Sequence, residues 1–350
     1  MTNSEYQVEI LTYDPQWVAR FRQEADLLRS TLGEQIVAIH HIGSTSVPGL
    51  QAKPIIDVLL EVRDIEELDR YNQAMREKGY DPRGEFGLPR RRYFPRSADG
   101  QRASHVHSWQ TGDTEIRRHL DFRDYLISHP QAREAYGHLK ADLADKFAGD
   151  RDSYVEGKHS FCQETERQAV AWGSAIRTQA LETDRLTLLP LNPAQLNHYL
   201  NRPRQLEAAL HFDLSESILT DPVHRAIRTK LHNTAGGNLQ KLLWNTYWLA
   251  VIREQGFGAG LIGFKGAPRK DGMVEIGYGI DATVRRQGYT TEAGAALVNW
   301  ALTQPECYAV VACTEKSNIA SIRVLEKLGF SLARETDEEF SWITANPVSH

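Results

Sequence analysis

The sequence predicts an α/β (α+β) protein built from two domains. A chain of 350 residues is too long to fold around one hydrophobic core of ordinary size. Its length predicts two domains of about 150 to 200 residues each. In both halves a run of β-branched and apolar residues leads into a turn that contains glycine. In the C-terminal half this turn opens a segment with helical periodicity. Such successions are typical of sheets covered by helices.

The first succession lies in the N-terminal half. Residues 36–42 are predicted to form a strand, residues 43–49 a turn leading toward a helix, and residues 54–62 a second strand. Asp57 lies on the second strand, and the position two residues on, which shares its face, is Leu59. Glu61 is the next acid on that face, about 13 Å from Asp57. Two carboxylates so far apart cannot share one Mg²⁺, so metal-dependent transfer is not expected from this pair.

A pair of histidines follows further along the chain. His105 and His107 alternate with Val106, so on a strand both side chains face one side, about 7 Å apart. With Asp57 they offer imidazole and carboxylate ligands for a metal ion whose identity the sequence leaves unknown. The alternative is one buried, hydrogen-bonded histidine and one surface histidine.

These segments resemble the GrpB family over about residues 5 to 170. Further matching motifs are Arg92-Tyr-Phe, His105-Val-His, residues 119–126 (His-Leu-Asp-Phe-Arg-Asp-Tyr-Leu) and residues 154–161 (Tyr-Val-Glu-Gly-Lys-His-Ser-Phe). The resemblance implies a nucleotidyltransferase-like mixed sheet with helices, a fold in which a Gly-Ser turn cradles triphosphate and paired acids hold Mg²⁺. It therefore implies a phosphorylated small molecule or nucleotide as ligand, with Mg²⁺ as an accompanying ion. The implied ligand residues are Gly43, Ser44, Thr45, Lys53, Asp57, Arg92, His105, His107 and Lys158. For each of them, an ordinary capping or surface role is the alternative.

The second succession lies in the C-terminal half. Residues 274–280 (Val-Glu-Ile-Gly-Tyr-Gly-Ile) are predicted to form a strand, residues 285–293 a glycine turn that opens a helix, and residues 318–330 a helix stopped by Gly329. The first N–H groups of a helix lack intrahelical partners, and the helix dipole adds partial positive charge there. A turn of this kind can therefore hold a pyrophosphate, although taken alone it is more often only structural.

In this order the three motifs resemble the GNAT acetyltransferases, specifically their RimJ/RimL-like branch. Residues 181–190 resemble the opening strand of that family and residues 260–264 its central strand, so the resemblance covers about residues 180 to 346. It implies a GNAT mixed sheet with helices and acetyl-CoA as cofactor. The implied cofactor contacts are Tyr278, Ile280, Arg285, Arg286, Gln287, Gly288, Tyr289, Thr290 and Asn318. Arg286 stands where the family often has glycine.

The same resemblance implies an acetyl transfer to an amine by direct attack in a ternary complex. Glu275 is the implied general base, directly or through water, and Ser321 the implied acid that protonates the departing thiolate. Asn318 lies three residues before Ser321, on the same helix face, as a further catalytic or cofactor contact. The alternatives are an exposed strand glutamate, a helix cap and a helix-surface serine. Cys307 and Cys313 are expected to be buried, which favours direct attack over a covalent route.

Composition narrows the class of protein. The formal charge of −5 argues against general nucleic-acid binding, and no apolar run is long enough for a membrane helix. Residues 1–6 lack the features of a signal peptide, so we expect a cytoplasmic protein with reduced cysteines. We place the domain boundary between residues 178 and 179, giving domains 1–178 and 179–350.

Two other functions stay open at this point. One is a non-catalytic module that senses CoA or a nucleotide, and the other is nucleotidyl or phosphoryl transfer by the N-terminal half. Neither the amine acceptor nor the oligomeric state follows from the sequence.

Overall fold

The computed structural model describes residues 9–98, 100–234 and 238–345. The chain divides into two compact units, Met1–Gly173 and Ser174–His350, and each unit has its own sheet covered by helices. The predicted two-domain α/β class is therefore confirmed. Residues 1–6, on which the expectation about a signal peptide rests, lie outside the described residues. Within the described ranges, no helix is both long and apolar enough to cross a membrane.

The N-terminal unit is built around four strands in the order β1-β2-β4-β3. Strand β2 pairs with β1 in antiparallel and with β4 in parallel register, and β3 pairs with β4 in antiparallel register. Its elements are α1 (Gln16–Leu32), β1 (Ile36–Ile42), β2 (Ile56–Val62), α2 (Asn72–Glu77), β3 (Arg92–Ala98), β4 (Gln101–Gln110), α3 (Thr114–Ser128), α4 (Pro130–Lys146), α5 (Arg151–Gly157) and α6 (His159–Arg177). The turn after β1 contains a single 3₁₀ turn, Ser44–Ser46.

The two faces of this sheet differ in chemistry. Because side chains alternate along a strand, Val58 and Leu60 point to one face, where they pack with Trp17 and Phe21 of α1 in a buried core. The opposite face carries Asp57 on β2 and its neighbours on β4. One face therefore packs into this core, and the other combines polar side chains with buried apolar ones such as Leu59.

The C-terminal unit has a nine-stranded sheet in the order β12-β13-β11-β10-β9-β8-β6-β5, with β7 pairing on β9. Its elements are β5 (Leu181–Glu182), β6 (Leu186–Pro190), α7 (Pro193–Asn201), α8 (Pro203–Leu210), β7 (Asp213–Leu214), α9 (Asp221–Thr234), α10 (Leu239–Asn245), β8 (Tyr247–Ile252), β9 (Phe257–Phe264), β10 (Met273–Ile280), α11 (Tyr289–Leu302), β11 (Ala309–Glu315), α12 (Ile319–Lys327), β12 (Ser331–Glu335) and β13 (Glu339–Ala345).

Helices cover both faces of this sheet. Leu249 and Leu261 face a core formed with α7, α8 and α9. On the other face, Trp248 and Phe264 pack against Trp300 of α11. Since paired residues on neighbouring strands share a face, these two cores fix which way every residue of β10 points.

Strands β10 and β11 separate partway along their length. Their parallel pairing runs from Met273 opposite Ala309 to Glu275 opposite Val311. Beyond that point, Ile276–Ile280 continue to pair with β9, whereas β11 continues along β13. The divergence opens a cleft in the middle of the sheet, beginning at Glu275.

Candidate functional sites

The cleft exposes one face of β10. Gly279 pairs with Leu261, and Leu261 pairs with Leu249, so Glu275, Gly277 and Gly279 point to the face covered by α7 to α9. A Cβ atom built on Gly277 or Gly279 would meet no atom within 4 Å. The glycines thus leave open space beside the carboxylate of Glu275.

The other face of β10 meets the start of α11. Tyr278 and Ile280 line a crevice there together with Tyr289 and Thr290. The structure therefore brings together four of the side chains predicted to contact the cofactor.

The turn between β10 and α11 carries the remaining predicted cofactor residues. Arg286 has φ 64° and Gly288 has φ 86°, both in the left-handed region. The glycine common at position 286 in the family therefore matches the backbone conformation seen here, which costs a residue with a Cβ about 1–2 kcal/mol. Arg285 and Gln287 lie in the same turn, and Gly288 is the N-cap residue of α11. The free N–H groups of the first turn of α11 are thus available to an anion.

An ion-pair network that the sequence does not predict anchors this turn. The Arg185 guanidinium lies 2.6 Å from the Glu292 carboxylate and donates to the Gln287 carbonyl at 2.9 Å. Glu292 also accepts from the Thr183 hydroxyl at 2.6 Å. These bonds hold the first turn of α11 against the β5–β6 hairpin. Because the two partners lie more than 100 residues apart, no local signal could have indicated the pair.

A second anchor lies at the end of β10. The Asp281 carboxylate accepts hydrogen bonds from Ser215 at 2.5 Å, Ser217 at 2.7 Å and both the N–H and hydroxyl of Thr283. Led by the Ser215 bond, these donors hold the pKa of Asp281 well below its usual range. Asp281 thereby ties the start of the turn to the segment after β7.

The predicted catalytic groups lie on β10 and at the start of α12. Glu275 is 26% exposed, and its carboxylate pairs with Lys265 Nζ at 2.5 Å. Asn318 caps α12, its side-chain oxygen accepting from the Ser321 N–H at 3.1 Å, which is the structural role considered for it from sequence. The Tyr278 hydroxyl donates to the Ser321 carbonyl at 3.4 Å and thus bridges β10 and α12. Burial raises the pKa of Tyr278.

Cys307 and Cys313 were both expected to be buried, and only one of them is. Cys307 is buried, and burial raises its pKa to about 11. Cys313 is exposed, contrary to expectation. It lies on β11 two residues after Val311, on the strand face that Val311 shares with Glu275.

The described residues fit acetyl-CoA. The separation of β10 from β11 leaves the backbone of residues 276–280 without a strand partner on the cleft side. Beside it, the two glycines remove side chains that would fill the opening, and the first turn of α11 offers N–H groups for the pyrophosphate.

In the N-terminal unit, the polar face of the sheet gathers three predicted ligand residues. Asp57 and His105 are register partners on β2 and β4, and His105 Nδ1 lies 3.2 Å from Asp57 Oδ1. His107 lies two residues on, and one ligand atom from each of the three falls within 4.8 Å of the others. Burial raises the pKa of Asp57, but the hydrogen bond and charge of His105 outweigh it and keep that pKa below its usual value. Burial lowers the pKa of His107 to about 3.

The glycine turn packs directly on this cluster. A Cβ atom on Gly43, whose φ is 68°, would collide with the Asp57 carboxylate, so only glycine fits. Ser44 accepts a hydrogen bond from Lys140 Nζ at 3.0 Å. Thr45 is 1% exposed and its hydroxyl is bonded to His41 and to the Ile55 carbonyl. Thr45 therefore supports the turn and does not point into an open site.

Arg92 is not brought to this cluster. It pairs with Ser108, on the opposite face from His105 and His107, and forms a bidentate ion pair with Asp69 at 2.7 Å. The preceding residue, Arg91, lies 3.3 Å from His107 Nδ1. The resemblance implied Arg92 as a ligand residue, whereas the neighbouring Arg91 is the arginine that the structure places beside His107.

Three lysines gather near the glycine turn. Lys53 and Lys158 lie 4.2 and 4.4 Å from the centre of the Tyr154 ring, and Lys140 lies 4.6 Å from that of Tyr136. Burial lowers the pKa of Lys53 to about 8 and that of Lys140 to about 7, and the charge of Lys158 adds to the effect on Lys140. Lys140 was not predicted from sequence. Mutually repelling ammonium groups in one place form a site that an anion would stabilise.

Comparisons with known proteins identify a family for each half of the chain. A family model described as GrpB protein matches residues 7–168, and one described as Acetyltransferase (GNAT) domain matches residues 185–331. UPF0157 protein YqkA of Bacillus subtilis is 42% identical over 165 residues, 47% of this chain and 48% of YqkA. The matched segment thus spans about half the length of that relative.

Two further relatives each match one half. Glutamate-rich protein GrpB of Alkalihalophilus pseudofirmus is 30% identical over 45% of this chain and 93% of its own length. The uncharacterized N-acetyltransferase YjdG of Bacillus subtilis is 31% identical over 47% of this chain and 96% of its own length. The chain therefore belongs to the GrpB family through its N-terminal half and to the GNAT acetyltransferases through its C-terminal half, which is an acyltransferase.

Proposed function

We propose that the C-terminal half moves the acetyl group directly to an amine, with both substrates bound at the cleft between β10 and β11. The observation that carries this proposal is the separation of the two strands after Glu275, next to the open space at Gly277 and Gly279. When bound, acetyl-CoA supplies an acetyl group activated as a thioester. The cofactor crevice lies on the Tyr278 face of β10, and the acceptor amine enters from the Glu275 face.

Glu275 is the group that accepts the proton of the amine. It is the last residue of β10 paired with β11, and its carboxylate stands at the narrow end of the cleft. Lys265 holds this carboxylate in place through the 2.5 Å ion pair. A positioned general base of this kind contributes about 10²- to 10⁴-fold to a rate.

Ser321 is the group that returns a proton to the leaving thiolate. It lies in the first turn of α12, which Asn318 caps and Tyr278 contacts. Tyr278 and Asn318 thus position the serine hydroxyl from two directions.

The test is release of free thiol from acetyl-CoA across a panel of amines, comparing the wild-type chain with Glu275→Gln. We expect at least one amine to be acetylated, and the variant to lose about 100-fold or more in kcat while still binding acetyl-CoA. Equal kcat in the two proteins, with chemistry limiting the rate, would remove Glu275 from the reaction. Lys265→Met removes the ion pair but keeps the carboxylate, so its loss in kcat should be smaller than that of Glu275→Gln.

For the N-terminal half we propose binding of a phosphorylated ligand at the lysine cluster of Lys53, Lys140 and Lys158. Lys140 is 3% exposed, and in the described part of the chain its polar partners are the neutral oxygens of Ser44 and Gln51. Burial and the charge of Lys158 outweigh the attraction of Asp57 and lower the pKa of Lys140 to about 7, so a phosphate beside this ammonium group would offset the cost of burying it. Calorimetric titration with pyrophosphate tests this. Binding that is lost in Lys140→Met supports it, and equal binding by both proteins contradicts it.

A further inference from the structure

The cluster of Asp57, His105 and His107 is a second chemical centre of the N-terminal half. Each residue offers one ligand atom, and the three atoms lie within 4.8 Å of one another. A tetrahedral zinc site with bonds of about 2.0–2.1 Å places its ligand atoms roughly 3.4 Å apart. The Asp57 to His105 distance of 3.2 Å already meets this spacing. Small side-chain rotations therefore suffice to close the set around one ion.

The sheet fixes the three side chains in advance. Asp57 and His105 are direct partners across adjacent strands, and His107 follows on the same face. Gly43 packs against the Asp57 carboxylate, and the Tyr93 ring lies 5.1 Å from that of His107 and 5.8 Å from that of His105. Ligand side chains that are fixed by their strands and by ring packing lose little conformational entropy when an ion binds.

The types of ligand atom in this cluster determine which metal ions it favours. Imidazole nitrogens suit Zn²⁺, Fe²⁺, Co²⁺ or Ni²⁺, whereas Mg²⁺ prefers oxygen ligands in an octahedron. The side chains of His105 and Asp57 are 28% and 29% exposed, so an ion can reach them from solvent. Three protein ligands also leave at least one coordination position open, as in catalytic metal sites.

The positive charge of Arg91 disfavours a metal ion at this cluster. Arg91 lies 3.3 Å from His107 Nδ1, and a cation on either ring nitrogen of His107 weakens that contact. Lys140 and Lys158 also interact with Asp57 through their charges, so a bound ion competes with these cations for the carboxylate, while the two imidazoles add neutral ligands that the cations do not use.

From this geometry we infer that Asp57, His105 and His107 bind one divalent first-row transition-metal ion, a site separate from the lysine cluster. The open coordination position makes it a site for chemistry or for ligand binding, and not only for folding. The inference does not depend on the proposed phosphorylated ligand, because its test uses the metal ion alone.

The experiment titrates Zn²⁺ into the tag-free, chelator-treated full chain by calorimetry, with Co²⁺ absorption as a second readout. We expect one site per chain, a visible Co²⁺ spectrum typical of nitrogen and oxygen ligands, and no displacement by excess Mg²⁺. Asp57→Asn, His105→Gln and His107→Gln should each weaken Zn²⁺ binding more than about 100-fold, since loss of an outer partner alone costs 10- to 100-fold. His138→Ala is the matched control, because His138 is exposed and outside the cluster.

Folding of each variant is checked by circular dichroism. Asp57→Asn is nearly isosteric, so it keeps the test decisive even where a histidine variant does not fold. Zinc affinity that is unchanged in folded Asp57→Asn or His105→Gln overturns the inference. So does a wild-type chain that binds Zn²⁺ no better than it binds Mg²⁺.

Discussion

The Tyr278 hydroxyl donates a hydrogen bond to the Ser321 carbonyl at 3.4 Å and so links β10 to α12. This bond joins a side chain of β10 to the backbone of the first turn of α12. The two residues have different expected roles. Ser321 acts through its own hydroxyl, whereas Tyr278 positions the backbone that carries it.

Ser321→Ala is expected to lower kcat with little change in acetyl-CoA affinity, because the lost proton donor acts mainly in the transition state. The decrease should fall within about 10²- to 10⁴-fold. Tyr278→Phe should instead have a smaller effect on kcat and weaken acetyl-CoA binding. Steady-state kinetics with calorimetry separates the two. If Tyr278→Phe loses kcat and Ser321→Ala does not, the acid is Tyr278.

Cys313→Ser distinguishes direct attack from a covalent route. Cys313 is exposed and shares a strand face with the partner of Glu275, so a thiol acceptor would be well placed there. Direct attack predicts unchanged kcat in Cys313→Ser and intersecting lines in two-substrate kinetics. Loss of activity together with parallel lines would indicate an acetyl-cysteine intermediate.

Arg286→Gly should stabilise the protein. The left-handed backbone at Arg286 costs about 1–2 kcal/mol, and glycine removes that cost. Glycine also has more conformational freedom in the unfolded chain, which lowers the free energy of unfolding by about 0.4–1 kcal/mol. We therefore expect the free energy of unfolding to rise by up to about 1.6 kcal/mol in urea titrations, with about 0.8 kcal/mol at the middle of this range. A decrease would show that the Arg286 side chain makes a stabilising contact.

The residues of the crevice between β10 and α11 were predicted together because the motifs that carry the family resemblance are close in sequence. Tyr278, Ile280, Tyr289 and Thr290 lie on one strand and the following helix, and they line one crevice. Lys140 was not predictable, since it reaches Ser44 from 96 residues away. The choice between Arg91 and Arg92 depends on where β3 begins, and three successive arginines give no pattern from which to read that.

The pH dependence of the N-terminal half should follow Lys140. Burial lowers the pKa of Lys140 from 10.5 to about 7, so between these values the unfolded chain binds more protons than the folded chain. Stability should therefore rise with pH from about 7 to about 10.5, by up to about 1.4 kcal/mol per pH unit from this group. Lys140→Met should lack this contribution in unfolding titrations at about pH 7 and 9. Lys230, whose pKa burial also lowers to about 7, acts equally in both proteins and cancels.

The same titration predicts how anion binding changes. Sulfate keeps its charge in this range, so its affinity should fall as pH rises above about 7 and Lys140 loses its proton. A sulfate affinity in the wild-type chain that is independent of pH between about 6.5 and 8.5 would exclude Lys140 from the anion site.

The most direct test of the cleft is a thiol-release assay on Gly277→Val. The added side chain enters space where no atom lies within 4 Å, beside Glu275, and valine favours strands. Stability should therefore be retained, while the acetylation rate for any accepted amine falls at least about tenfold because the acceptor is displaced. Ala333→Val, at an exposed position of β12, is the control and should keep full activity. If Gly277→Val folds normally and acetylates at the wild-type rate, transfer does not occur at this cleft.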